Sequence, residues 1–373
     1  MTLFAGASPA VQSTGPRPRR RVRIGWTLLV VALVGTLVLA LIPSPYVIER
    51  PGPVFDTLGT VTISGKSTPM IEIPGQKTWA TAGSLDMLTV NLAGDRSNLP
   101  NWVDVASAWF DPSQAVLPVA SVYPPGYSVE DSNKQGAIDM QNSQKDAIAA
   151  ALRSLGHEVP ATVTVEAITK GSLARGVLKN GDTIVRVDDT GVSTIAGLRK
   201  AIASRKAGST LSIDIERDGE PRTVKATSIS SSGANPVPIL GIGVAINYDF
   251  PFDVKIQLEN VGGPSAGQMF ALGIIDKLTP GSLTGGKHVA GTGTIDERGV
   301  IGPIGGIRQK MYGASRAGAT IFLAPYGDCD EVVGHIPDGL RVFAVKTLDD
   351  SLADLKVIAA GGDTGSLRSC SAG

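Results

Sequence analysis

Cysteine and histidine are scarce in this sequence, which has two of the former and three of the latter in 373 residues. The cysteines, Cys329 and Cys370, form no C-x-x-C motif, and the histidines are not clustered at the spacing of metal ligands. We therefore expect no metal site and no other cofactor. In an oxidising compartment the two cysteines could form a disulfide that tethers the C-terminal tail, although two free thiols are an equal alternative.

The chain also lacks a net charge, since Lys+Arg and Asp+Glu both total 34. Without a basic surplus, nucleic acid is not an expected partner. The charges are unevenly placed, because five arginines fall within residues 17–23 and the first acidic residue is Glu49. Residues 44–373 are consequently net acidic.

Charge is absent altogether from residues 24–42, IGWTLLVVALVGTLVLALI. A helix of this length just spans a hydrocarbon core of ~30 Å. The alternative is a cleaved signal peptide, but its apolar part usually has ~7–15 residues, and no clear A-x-A cleavage site follows. We expect an uncleaved single-pass signal anchor in the cell membrane. The arginines predict that residues 1–23 form a cytoplasmic basic tail and that the chain after Pro43 is extracytoplasmic.

Short strand-like segments broken by proline and glycine fill residues 46 to about 130, for example GTVTISG and GSLDMLTVNL. The alanine-rich segment NSQKDAIAAALRSLG follows them. It predicts a helix that has Asn142 or Ser143 as its cap and stops at Gly156.

Residues 156–232 have the pattern of a small separate domain. ATVTVEAI predicts a strand, and STIAGLRKAIAS predicts a helix behind a Ser193 or Thr194 cap. Two further strands meet at an Asp218-Gly219 turn. This order of elements, together with GSLARGVLKNGDTIVRVD, resembles a PDZ domain.

PDZ domains bind an extended peptide as an added strand beside their helix. The resemblance therefore implies a peptide cleft between Thr162–Ile168 and Ile195–Ser204. It implies protein or peptide partners in extended conformation.

The pentapeptide GPSAG at residues 263–267 satisfies G-x-S-x-G, the pattern of a nucleophile elbow, and makes Ser265 a candidate nucleophile. Pro264 suits the first position of a helix, where its missing N–H is not needed. We predict a helix that starts at Pro264 with Gly263 as its cap, so that Ser265 lies near unpaired backbone N–H groups. A helix-terminal serine without chemistry is the alternative.

The base that would take a proton from Ser265 is either a histidine or a lysine. His335 could follow Asp328 or Asp330 in a Ser-Asp-His order, but GHIPDG reads as an exposed turn. His288 has no evident acidic neighbour. Neither histidine is therefore a strong candidate.

Lys310 is the lysine candidate. IRQKMYGASRAGA predicts a helix from Ile307, and Lys310 is the charged residue on its apolar stripe with Ile307, Met311 and Ala314. Most such lysines extend their amine to water. In an apolar environment, however, the pKa of a lysine falls, as a base for serine requires.

Three segments, GGPSAG, GTGTIDERGVIGPIGGIRQK and SRAGATIFLAP, together resemble the proteolytic domain of Lon-type serine peptidases. The resemblance implies that Ser265 is the nucleophile and that Lys310, 45 residues later, is the general base. It also implies that Thr292 helps to orient the lysine. Val261-Gly262-Gly263 departs from the Lys-Asp-Gly of the family, so an acidic neighbour of the nucleophile is missing.

The anchor, the PDZ-like segment and the Lon-like segment match a bacterial subgroup of Lon-like peptidases. The resemblance implies an α+β fold in which a PDZ domain at 156–232 is inserted. The proteolytic domain occupies 239–360, residues 46–155 complete its fold, and 361–373 form a C-terminal tail. Since Lon-type domains commonly form rings, a homo-oligomer is also implied.

The glycine-rich run GSLTGGKH resembles a P-loop but ends in His288, where a P-loop needs serine or threonine. No other nucleotide-binding motif occurs, so we expect no ATP hydrolysis. The sequence predicts a membrane-anchored, ATP-independent serine endopeptidase that cleaves extracytoplasmic proteins or peptides. The alternatives are a catalytically inactive PDZ scaffold and a Ser-His-Asp esterase that uses His335.

Overall fold

The computed structural model describes residues 20–123, 129–231 and 236–370. Most of the predicted cytoplasmic tail lies outside these described residues. The helices within them are α1 (Arg20–Leu41), α2 (Trp102–Trp109), α3 (Val119–Val122), α4 (Val129–Ser154), α5 (Ile195–Ala203), α6 (Gly267–Leu278), α7 (Ile307–Arg316), α8 (Cys329–Val332) and α9 (Leu348–Ala359).

The strands complete a mixed α+β fold, as the sequence predicts. Those within the described ranges are β1 (Tyr46–Asp56), β2 (Thr60–Ile63), β3 (Lys66–Pro69), β4 (Ile71–Glu72), β5 (Ser84–Ala93), β6 (Ala115–Pro118), β7 (Ala161–Ile168), β8 (Thr183–Val187), β9 (Thr190–Gly191), β10 (Thr210–Arg217), β11 (Glu220–Thr227), β12 (Ile229–Ser230), β13 (Pro238–Ile239), β14 (Ile242–Tyr248), β15 (Lys255–Ile256), β16 (His288–Gly291), β17 (Thr294–Ile295), β18 (Ile301–Gly302), β19 (Ile321–Pro325) and β20 (Arg341–Val345).

The described parts of Met1–Arg50 and Asn91–Val129 form one compact unit. Its helix α1 contains Ile24–Leu41, a stretch of mean hydropathy 2.5 with no buried residue, which is long and apolar enough to cross a membrane. This property is shared by membrane anchors and N-terminal signal sequences. The start of β1 pairs antiparallel with β6, and Ile48 packs against Val105 of α2.

The described parts of Pro51–Val90 and Glu130–Gly373 form the second unit. Its first sheet has the order β20-β19-β16-β5-β1, and β16 runs parallel to both β5 and β19. Val289 of β16 pairs with Leu85 on one side and Ile321 on the other. All three side chains are fully buried, as is Phe270 of α6, so this sheet carries the core that supports the candidate site.

A second sheet in the same unit has the order β11-β10-β8-β7-β14 and packs against α5. Thr194 caps α5 by accepting a hydrogen bond from the Gly197 N–H, as predicted. The predicted turn between β10 and β11 is confirmed, since Asp218 and Gly219 both have positive φ there.

The predicted peptide cleft beside β7 is not open. The edge of β7 that the sequence analysis assigns to a peptide is paired along its length with β14 of the same chain. The sequence gives no partner for β7 at this edge, because strand pairing is decided by non-local contacts.

The start of helix α4 differs from the prediction. It begins at Val129 rather than near Asn142, so Asn142 and Ser143 lie inside the helix and are not its cap. Residues 129–141 are mostly polar and give no apolar periodicity. Their helix includes the exposed Glu130–Lys134 ion pair at i,i+4 spacing, which stabilises a solvated helical turn.

Candidate active site

Ser265 lies in a tight turn immediately before α6 and is partly exposed. The prediction that the helix starts at Pro264 is wrong, because α6 starts at Gly267 with Ala266 as its N-cap. The reason is a hydrogen bond to an acceptor outside the helix. The Gln268 N–H, which would bond to the Pro264 carbonyl in a longer helix, donates instead to the Gly293 carbonyl at 3.1 Å.

The carbonyl groups of Pro264 and Ser265 in this turn both accept hydrogen bonds from distant segments of the chain. The Ser143 hydroxyl of α4 donates to the Pro264 oxygen at 2.8 Å. The Thr292 hydroxyl and the Gly293 N–H donate to the Ser265 oxygen at 2.9 and 2.8 Å. The backbone around Ser265 is therefore fixed from two sides.

Lys310 of α7 reaches the hydroxyl of Ser265. Its Nζ lies 2.7 Å from Ser265 Oγ and 3.1 Å from Thr292 Oγ1. The predicted apolar stripe is confirmed, since Ile307, Lys310, Met311 and Ala314 are all buried and Lys310 is only 2% exposed. The amine therefore does not extend to water.

Thr292 follows the last residue of β16 and is fully buried. Its N–H donates to the Leu323 carbonyl of β19 at 3.2 Å, which fixes it beside the neighbouring parallel strand. Its hydroxyl contacts both Lys310 Nζ and the Ser265 carbonyl oxygen. The structure thus brings all three sequence-predicted site residues into one hydrogen-bonded group.

Asp328 supports the segment before Lys310, a contact that the sequence analysis misses. It follows β19, as Thr292 follows β16, so both residues stand beyond the carboxyl ends of adjacent parallel strands. The Ile304 N–H donates to its carboxylate at 3.0 Å. Burial raises the pKa of Asp328, while that hydrogen bond and the nearby charge of Lys310 act in the opposite direction. The position of Asp328 after a buried parallel strand, like that of Thr292, is the sequence signal that could have identified it as a site residue.

Helix α4 also contributes to the site without a sequence signal. Besides the Ser143 contact, the Gly136 carbonyl accepts a hydrogen bond from the Gly263 N–H at 2.8 Å. A Cβ on Gly262 would lie 3.2 Å from the Gly136 backbone, so the close approach of these two segments favours glycine. A groove of about 690 Å³ lies between the first half of α4 and residues 256–262.

The histidines have partners other than Ser265. His288 Nε2 contacts the Asp86 carboxylate on β5, so the expectation that it lacks an acidic neighbour is wrong. His335 Nδ1 contacts the Val333 carbonyl oxygen at 3.1 Å rather than a carboxylate. The third histidine, His157, packs its ring edge-on against Phe252.

These contacts show which basic side chain lies close to the Ser265 hydroxyl. Among the described residues, Lys310 is the basic side chain within hydrogen-bonding distance of Ser265 Oγ. The Ser-Asp-His arrangement with His335 is not assembled within the ranges that the structure describes. His335 Nδ1 contacts the Val333 carbonyl oxygen rather than Asp328 or Asp330, and the Asp328 carboxylate accepts a hydrogen bond from the Ile304 N–H. No group of three or more His, Cys, Asp or Glu side chains in the described part of the chain could hold a metal ion.

The two cysteines, left open by the sequence, form a disulfide between Cys329 of α8 and Cys370. Cys329 directly follows Asp328. The bridge therefore ties the C-terminal segment to the end of the turn that carries this carboxylate.

Two protein-family models match the chain. Residues 128–227 match the PDZ domain, and residues 260–357 match the Lon protease (S16) C-terminal proteolytic domain.

Similar proteins agree with the second match. Lon protease 2 of Herpetosiphon aurantiacus is 42% identical over 107 residues, which cover 27% of this chain and 13% of that protein. Lon protease of Geobacter metallireducens is 39% identical over 109 residues, covering 28% and 13%. Lon protease 1 of Bacillus subtilis is 30% identical over 118 residues, covering 30% and 15%. The similarity thus spans less than a sixth of these relatives.

A solved structure of the PDZ domain of the SdrC-like protein from Listeria monocytogenes is 22% identical, with a TM-score of 0.21. It covers 22% of this chain and 85% of that one.

Proposed function

We propose that this chain, which carries a PDZ domain and a Lon-type proteolytic domain, is a membrane-anchored serine endopeptidase that cleaves extracytoplasmic proteins or peptides without ATP. The observation that carries the proposal is the buried Lys310 amine, 2.7 Å from Ser265 Oγ. Ser265 is the nucleophile, Lys310 the general base, and Thr292 holds the amine in place. The supporting family match covers residues 260–357 with the C-terminal proteolytic domain of Lon protease.

The contacts support the following steps. A neutral Lys310 amine accepts the Ser265 hydroxyl proton while Oγ attacks the scissile carbonyl carbon. The negative charge that develops on the carbonyl oxygen is stabilised by backbone N–H groups of the turn at Ser265 and Ala266. The peptide C–N bond breaks and Lys310 returns the proton to the leaving amine. Water then attacks the acyl carbon while Lys310 takes its proton. Lys310 passes that proton to Ser265 Oγ as the ester C–O bond breaks and the carboxylic acid product leaves.

Burial supports the role of Lys310 as a base. Removing an amine from water disfavours its charged form. The Ser265 and Thr292 oxygen atoms that the amine contacts belong to uncharged hydroxyl groups, which add no full negative charge, whereas the Asp328 carboxylate interacts with the charge of Lys310. Thr292, bound on its other side to the Ser265 carbonyl, keeps the amine directed at the nucleophile.

Two features support the extracytoplasmic location. Helix α1 could span a bilayer, and the arginines before it favour the cytoplasmic side. The Cys329–Cys370 disulfide fits an oxidising compartment, since disulfides are rare in the cytosol. We also propose the domain division at 46–155, 156–232 and 239–360, which the parallel pairing of β5 with β16 supports.

The test uses the full-length chain in detergent, with an unfolded protein as substrate and no nucleotide. Ser265→Ala and Lys310→Met should each reduce cleavage by at least a hundredfold, since a lost general base costs ~10²–10⁴ in rate. Lys277→Met is the matched control, because Lys277 is a half-buried lysine whose amine donates to the Leu58 carbonyl oxygen instead. It should retain activity, as should His335→Ala.

Each alternative has its own result. Cleavage that survives in Lys310→Met would exclude the dyad, and cleavage lost in His335→Ala would favour the esterase-type triad. If the wild type neither cleaves nor reacts at Ser265 with a serine-directed fluorophosphonate, the chain is a scaffold.

A further inference from the structure

The outer edge of β7 is filled by β14 of the same chain. The two strands pair antiparallel from Ile242↔Ile168 to Tyr248↔Ala161. PDZ domains bind a peptide by adding it as a strand to a sheet edge beside a helix. Here that edge is the one β14 occupies, and β14 also contacts α5.

The side chains of β14 alternate as those of a bound strand would. Ile242, Val244 and Ile246 pack against the core between the sheet and α5, whereas Gly243 and Asn247 are exposed. Leu240, just before β14, is only 1% exposed. Apolar side chains at every second position therefore fill the groove.

The loop after β7 holds the backbone at the start of this segment. The Thr169 N–H and hydroxyl donate to the Gly241 carbonyl at 2.9 and 3.0 Å. The Ser172 hydroxyl donates to the Leu240 carbonyl at 2.6 Å. Gly241 has a φ of +66°, a conformation that glycine adopts without strain, and this allows both carbonyls to face the loop.

The far end of β14 is tied to the candidate active site. The Tyr248 hydroxyl donates to Asp146 Oδ1 of α4 at 2.6 Å. One turn earlier on the same helix, Ser143 donates to the Pro264 carbonyl. The strand in the groove and the turn that carries Ser265 are thus held by the same helix.

We propose that residues 238–248 are the resident occupant of the PDZ cleft, so that a peptide from another molecule enters only by displacing them. Displacement would separate Tyr248 from Asp146 and release the chain that leads from β14 to Ser265. Occupancy of the cleft is in this way linked to the nucleophile turn. A PDZ domain with a vacant cleft would have no such link.

A cross-strand lock tests the proposal on the full-length chain. Thr162 and Asn247 are paired and both exposed, so Thr162→Cys with Asn247→Cys places two thiols opposite one another across β7 and β14. The probe is a fluorescein-labelled peptide of residues 238–248, PILGIGVAINY, followed by fluorescence anisotropy. Wild type treated with the same reductant is the control for opening of the Cys329–Cys370 bridge.

The reduced double variant should bind the peptide at least tenfold more tightly than the oxidised one. Equal binding by the two forms, or binding by neither, would overturn the proposal, since the groove would then not be an exchangeable peptide site. Binding is measured without cleavage. A failure of the proposed peptidase activity therefore leaves this result unaffected.

A second pair of variants covers the case in which the lock does not form. Val244→Asp weakens the resident strand and leaves the walls of the cleft unchanged, so the peptide should bind at least tenfold more tightly than to wild type. Val237→Asp makes the same change on an exposed side chain outside β14 and should bind as wild type does. Equal affinity of the two variants would count against a displaceable occupant.

Discussion

Replacing Thr292 with valine removes one hydroxyl from the centre of the candidate site and keeps nearly the same side-chain shape. That hydroxyl contacts Lys310 Nζ at 3.1 Å and donates to the Ser265 carbonyl at 2.9 Å. Thr292 is fully buried, so its hydroxyl is not in contact with bulk water. The substitution therefore tests the positioning role of Thr292 directly.

The expected cost follows from the bonds that remain. The Ser265 carbonyl keeps the Gly293 N–H at 2.8 Å, and Lys310 keeps its contact with Ser265 Oγ. Two hydrogen bonds are lost, each contributing about 0.5–1.5 kcal/mol. A loss of about 1–3 kcal/mol from the transition state lowers kcat roughly 5- to 150-fold. KM should change little, because Thr292 has no route to bound substrate except through Lys310 and Ser265.

The assay is single-turnover cleavage of an unfolded substrate, together with the rate of fluorophosphonate labelling at Ser265. Thr292→Ser, which restores the hydroxyl, should recover most of the activity. Thr284→Val is the matched control, since Thr284 is equally buried and its hydroxyl donates to the remote Ala82 carbonyl. A Thr292→Val enzyme with kcat within twofold of wild type would refute the reasoning. Equal losses in the two valine variants would also refute it.

Two further predictions concern stability. Burial raises the pKa of Asp146 to about 6. The neutral carboxyl therefore contributes up to about 3 kcal/mol to the free energy of unfolding below its unfolded pKa. This contribution is lost as pH rises through about 6. Asp146→Asn should therefore raise the thermal-unfolding midpoint at pH 7.5 but not at pH 4, with the exposed Asp253→Asn as control; a rise at both pH values would contradict this. The Cys329–Cys370 bridge closes a loop with a sequence separation of 41, for which loop entropy predicts a stabilisation of about 4 kcal/mol. Cys370→Ser should lower the free energy of unfolding in urea by up to that amount, and an unchanged midpoint would show that the bridge adds no constraint.

Local patterns explain which features could be predicted. The stripe of Ile307, Met311 and Ala314 identifies the buried face of α7, and Lys310 falls on it because helical spacing depends on sequence alone. Likewise, Thr194 caps α5 through an N–H three residues away. Such contacts join residues within one turn, so the sequence contains all of the information needed.

The start of α6 shows where local reasoning fails. Pro264 is compatible with the first turn of a helix, and nothing within GPSAG opposes it. The competing acceptor for the Gln268 N–H is the Gly293 carbonyl, 25 residues later. A helix terminus is decided by which acceptor is closer in the folded chain, and only the tertiary structure gives that distance.

Sequence separation also explains the missed partners. Ser143 is 121 residues from Pro264, and Asp86 is 202 residues from His288. Each of these side chains lies in a segment whose own pattern is ordinary. Their roles follow from the packing of α4 against the nucleophile turn and from the pairing of β5 with β16.

The turn that carries Ser265, the proposed nucleophile, is held by three segments of the chain. Each segment forms a hydrogen bond to a different atom of Pro264 or Ser265. Ser143 of α4 holds the Pro264 carbonyl, Thr292 holds the Ser265 carbonyl, and Lys310 of α7 contacts Ser265 Oγ. The first two contacts fix the backbone from which the serine side chain extends. The third sets the position of the base relative to the hydroxyl. Ser143, Thr292 and Lys310 all lie outside the motif GPSAG. A match to the motif therefore identifies a serine but not the side chains that would act on it. We propose a lysine base rather than a histidine base because α7 places the buried Lys310 amine within hydrogen-bonding distance of Ser265 Oγ.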